Sequence, residues 1–123
     1  MYKRQHQRYA AAAAYAELRQ LAGPVSLDVG VLDQGVEDHS TAAPLTVRKT
    51  DEALDVLADI LTAELLLATD ILGLRPELPT LGTGTRALYA SVRGAVAALS
   101  DPSPDGAHAA ARDTLSASRI RRT

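Results

Sequence analysis

Three ionisable side chains stand side by side in "QGVEDHST" (residues 34–41): Glu37, Asp38 and His39. Their types allow three kinds of chemistry. Asp38 can cap a helix that starts just after it, because a carboxylate oxygen accepts from free N–H groups of a first turn. Glu37 can act as a catalytic carboxylate, holding a cationic amine or a proton. A metal site would need three or four ligands converging on one point. Adjacent residues project in different directions, and the other histidines, His6 and His108, are remote in sequence. No metal is therefore expected. The residues alone leave the solvated cap and the catalytic carboxylate open, with the cap the simpler reading.

Other candidates carry blander readings. Glu64 lies inside the most apolar run and is expected to be a core carboxylate paired with an arginine or a backbone donor, because an unpaired buried carboxylate is costly. Tyr9, Tyr15 and Tyr89 fall at helical positions and read as packing residues. "LGTGT" contains glycines but lacks the Gly-x-Gly-x-x-Gly spacing and a preceding strand, so it is not read as a phosphate loop.

The elements that must position these groups are helical. "YAAAAAYAELRQLA" is rich in the best helix formers and is followed by Gly23 and Pro24, which predicts a helix over residues 7–21. Residues 25–36 alternate briefly, as a strand would, but no partner strand exists; an extended loop is expected. A long helix should begin near Ser40 or Thr41, capped by Asp38, Ser40 or Thr41, with Pro44 tolerated in its first turn. Leu54, Leu57, Leu61, Leu65, Ala68 and Leu72 recur at helical spacing, and Gly73 and Pro76 end the pattern. That is about 32 residues, or roughly 48 Å. Its second half is apolar nearly all round, so it needs more cover than two or three short helices can give. Residues 75–84 read as a loop, about 85–99 as a third helix, and Ser103 with Pro104 as the cap and first position of a last helix to about Ala117. The tail, residues 118–123, reads as a frayed end.

Bulk properties agree with one small all-α domain. The chain has 123 residues, a formal net charge of -2, no cysteine, no Phe and no Trp. That charge gives no reason to expect a nucleic-acid partner, and the lack of cysteine excludes a disulfide framework. The N-terminal stretch lacks the apolar core of a signal peptide. The apolar run 60–74 is broken by Glu64 and Asp70 and is too short for a membrane span, so no membrane partner is expected.

Five motifs in register give the chain a family likeness. They are "PVSLD" ending at Asp28, "EDH" nine residues on at Glu37, "TAELLL", "LGLR" and "GTGTRALY". In this order they resemble the C-terminal part of the aromatic amino acid ammonia-lyases, closest to histidine ammonia-lyase, over about residues 9–115. The resemblance implies an all-α, helical-bundle lyase fold with a long central helix, shorter helices and one extended loop. It implies a cytoplasmic homotetramer that eliminates ammonia from an L-amino acid substrate. Glu37 would be the catalytic and substrate-binding carboxylate, with Asp38 and His39 structural beside it. The family's electrophile, a methylidene-imidazolone, is built from Ala-Ser-Gly, which this chain lacks along with the family's loop tyrosine base. Gly35 and Val36 stand where Asn-Gln is common in the family. A non-histidine lyase or an aminomutase of the same family is then open, as is a non-catalytic helical oligomerisation module. The opening "MYKRQ" does not match the family and can be read from a common sequencing-library adapter. The expectation is a truncated reading frame: residues 1–6 outside the family, 7–117 the C-terminal helical part of a lyase domain.

Overall fold

The computed structural model describes residues 2–25, 42–100 and 103–120. Four helices follow one another: α1 (Tyr2–Leu21), α2 (Ala43–Gly73), α3 (Thr83–Ala97) and α4 (Pro104–Ile120). The all-α reading holds, with α2 longest at 31 residues. Helix α1 starts earlier than expected, at Tyr2, because nothing in the first turns of "YKRQHQRY" breaks a helix. It stops where Gly23 and Pro24 predict. Helix α3 starts two residues early, with Gly82 as its N-cap.

Helix α2 is the shared wall. Helix α1 packs along it most extensively, α4 lies against it as well, and α3 pairs chiefly with α4. The core is small. Leu66 of α2, Val92 of α3 and Ala111 of α4 meet, flanked by half-buried Leu65, Leu88 and Val96. Two threonines complete the buried face of α2, Thr62 and Thr69. Thr62 needs no distant partner, since its hydroxyl donates to the Ala58 carbonyl one turn back at 2.7 Å.

That geometry corrects the reading of Glu64. The buried face of α2 is Thr62, Ala63, Leu66 and Thr69. At about 100° per residue Glu64 points to the opposite side, and it is exposed there. It is not a core carboxylate. The apolar run deceived because burial depends on which face finds a partner, and only one did. Leu57, Leu61, Glu64, Ala68 and Ile71 recur every three or four residues along the uncovered side and are all exposed. Tyr9 and Tyr15 are exposed too, at 73% and 59%, and do not pack.

Helix ends show which sequence signals were obeyed. Ser103 caps α4 as expected: its hydroxyl accepts from the Gly106 N–H at 3.1 Å. The N-cap of α2 is Ala42, not Asp38, Ser40 or Thr41, and no side chain caps it. Pro44 explains this choice, since proline is tolerated only within the first turn and fixes where that turn begins.

Candidate functional site

The segment bearing Glu37, Asp38 and His39 leaves the described structure at Val25 and re-enters it at Ala42, so all three residues lie outside the described residues, as do Asp28 and the extended loop. Its two ends are held, however. The Lys49 ammonium on α2 donates to the Gly23 carbonyl at the end of α1, at 2.7 Å. Gly23 N–H in turn donates to the Gln20 carbonyl at 3.1 Å, closing the last turn of α1. Past Ala42, the Thr46 hydroxyl donates to the Ala42 carbonyl at 3.0 Å and tightens the first turn of α2. The end of α1 and the start of α2 are thus joined by one cation–carbonyl bond.

A second polar cluster was not foreseen. Arg112 of α4 bridges two carboxylates of α2: it bonds Asp59, and its Nη2 lies 3.3 Å from Asp55 Oδ1. Its Nη1 also donates to the Asp55 backbone carbonyl at 3.0 Å. His108, one turn earlier on α4, places Nε2 3.3 Å from Asp59 Oδ1. The signal was present as two matched spacings, Asp55 and Asp59 on one helix against His108 and Arg112 on the other, each i to i+4. Beside this cluster runs a cavity of about 470 Å³, floored by the alanines of α1. Its lining includes Ala10, Ala14, Asp59 and His108. The arrangement joins helices; it does not assemble an acid, a base and a nucleophile around one point. Among the described residues no group of three or more His, Asp or Glu could hold a metal ion. Nor is any described helix long and apolar enough to cross a membrane.

Comparison with known proteins identifies the family of the chain. The chain matches the protein-family model described as aromatic amino acid lyase over residues 4–94. It belongs to the aromatic amino acid lyase family. The match contains the Glu37 segment and nearly all of α1, α2 and α3, and stops before α4. Three curated members are similar to it, each named histidine ammonia-lyase. The Symbiobacterium thermophilum protein is 36% identical over 93 residues, which is 75% of this chain and 18% of that protein. The Natranaerobius thermophilus protein is 33% identical over 93 residues, 76% and 18%. The Streptomyces coelicolor protein is 35% identical over 97 residues, 79% and 18%. The chain therefore aligns with about a fifth of the length of each relative. No solved structure matches it.

The residues of this lyase-family chain do not fit the family's electrophile. A methylidene-imidazolone forms from contiguous Ala-Ser-Gly, and no such triplet occurs among the 123 residues. No step through that group follows from this chain.

Proposed function

We propose that this chain supplies the helical C-terminal part of an ammonia-lyase that eliminates ammonia from an L-amino acid, and that Glu37 is its contribution to the site. The observation that carries the proposal is the family match over residues 4–94, which runs through Glu37 without leaving the family. A carboxylate in a water-poor site orients a cationic amine and can hold or pass a proton. Asp38 and His39 serve the path into α2. The electrophile must come from polypeptide outside this sequence.

The uncovered stripe of α2 supports the assembly part of the proposal. Leu57, Leu61 and Ile71 are 39%, 41% and 45% exposed, a run of large apolar side chains that water penalises. Packed against other copies of α2, the stripe would form the centre of a homotetramer in the cytoplasm. Gly35 and Val36 favour a second reading of the substrate. They remove the amide that the resemblance leads one to expect before Glu37, so a non-histidine substrate or an aminomutase reaction fits this segment as well.

The test is a chimera. Residues 4–94 replace the aligned segment of the Streptomyces coelicolor histidine ammonia-lyase, and ammonia release is measured with L-histidine and a panel of other aromatic L-amino acids. Release from any of them supports the proposal, and the preferred one identifies the substrate. A chimera that assembles but releases ammonia from none favours the non-catalytic module. The 123-residue chain by itself is expected to release none.

A further inference from the structure

The carbonyl of Gly23 has no place in the hydrogen-bond ladder of α1. Gly23 lies past the last residue of that helix, Leu21, and immediately before Pro24. A residue before proline is pushed out of the α region, so this carbonyl needs a partner from elsewhere. Helix α1 carries a basic residue in its own last turn, Arg19. Yet the cation that reaches the carbonyl is Lys49, in the second turn of α2, at 2.7 Å. Its neighbours bond within α2. The Thr46 and Thr50 hydroxyls donate to carbonyls one turn back, at 3.0 and 2.8 Å, and Arg48 faces Glu52 at 3.8 Å. Lys49 is half-buried, and its ammonium sits at the negative end of the α1 dipole, where a cation is favoured.

The two helices run antiparallel. Gly23 meets Lys49 at one end of the pair, while at the other Gln7 lines one cleft with Leu66 and Asp70. The end of α1 and the start of α2 are therefore neighbours, and helices so placed are ordinarily joined by about 2–8 residues. Here residues 26–41 stand between Val25 and Ala42. That is more chain than the connection requires, and it includes Glu37. Where this stretch leaves α1 and where it joins α2 are set by how the two helix ends are held together.

We propose that Lys49 is a positioning residue for the reaction proposed above: by tying the end of α1 to the second turn of α2, it fixes the two points between which the Glu37 segment is strung. This rests on the reading of Glu37 as the site carboxylate. Lys49 itself takes no part in bond making. Its ammonium replaces water at the Gly23 carbonyl, so the end of α1 does not fray and the separation of Val25 from Ala42 holds steady. A small displacement of a reacting group is costly in rate even when its cause is remote.

Two measurements test this, each with Lys49→Met, which keeps the length of the side chain and removes the donor, and with Lys49→Arg, which restores a donor. Arg48→Met is the control, because it removes the same charge from the adjacent position without touching Gly23. In the 123-residue chain, amide hydrogen exchange is followed at Ala22 and Gly23, whose N–H groups close the last turn of α1. Exchange there should quicken about threefold or more in Lys49→Met, and return toward the unaltered rate in Lys49→Arg. In the chimera carrying residues 4–94, kcat should fall about fivefold or more in Lys49→Met with KM little changed, and recover in Lys49→Arg. Arg48→Met should alter neither readout. Unchanged exchange in Lys49→Met overturns the proposal. So does quickened exchange with unchanged kcat, which leaves Lys49 as a helix cap only. A chimera that responds to Glu37→Gln but not to Lys49→Met separates the failure of this inference from that of the reading it rests on. A chimera that releases no ammonia at all removes both.

Discussion

Ser103 shows how much one side chain can settle and how directly the sequence can announce it. "SPDG" places a hydroxyl before a proline, and the structure uses both, with Ser103 Oγ accepting from Gly106 N–H at 3.1 Å. Replacing Ser103 with Ala should cost about 1 kcal/mol of stability, the usual worth of such a cap, read as a lowered urea midpoint with an unchanged slope. Glu64 teaches the opposite lesson. Its neighbours are apolar, but its exposure follows from the face it occupies on α2, which no local pattern encodes when the whole circumference is apolar. Glu64→Gln should therefore change the stability of the isolated chain by less than about 0.5 kcal/mol, the ordinary range for a surface substitution. A loss of several kcal/mol would restore the core reading. The role proposed for Glu37 rests on its register with Asp28 and the later motifs; its residue type alone fits a cap as well as a catalyst.

At the scale of elements, existence and order were readable while partners were not. The Ala-rich α1, the long α2 and the stop at Gly73 all follow from propensity and punctuation. What joins α4 to α2 is a fit between two helices, Asp55 and Asp59 with His108 and Arg112, and either half alone looks like a solvated face. The Arg112 side chain is only 26% exposed and serves two carboxylates. Arg112→Leu should destabilise the chain by about 0.5–1 kcal/mol, because the carboxylates it leaves on neighbouring turns, Asp55 and Asp59, are exposed and screened. The loss should shrink in about 1 M salt, where the Debye length falls to roughly 3 Å. Leu66→Ala tests the other contact between the same elements. It removes the largest buried side chain that α2 gives to the core and should cost about 2–5 kcal/mol regardless of salt. If both variants respond to salt alike, electrostatics does not separate the two contacts as described.

At the scale of the whole molecule, this is a chain with more surface than it can use alone. The uncovered stripe on α2 agrees with relatives several times longer than this chain. Sedimentation at micromolar concentration should find oligomers or aggregates, and Leu57→Glu with Leu61→Glu should shift them toward monomer. A stable soluble monomer of the unaltered chain would contradict the assembly proposed for α2. The central claim is that a lyase-family segment has kept its catalytic carboxylate, and one ratio tests it most directly. In the chimera carrying residues 4–94, kcat/KM is measured for the unaltered segment, for Glu37→Gln and for Asp38→Asn. The account predicts a fall of about 100-fold or more for Glu37→Gln, about 2.7 kcal/mol of transition-state stabilisation, and only a modest change for Asp38→Asn. Near-normal turnover in Glu37→Gln, with activity lost in Asp38→Asn, would contradict it and move the catalytic role to the neighbouring carboxylate.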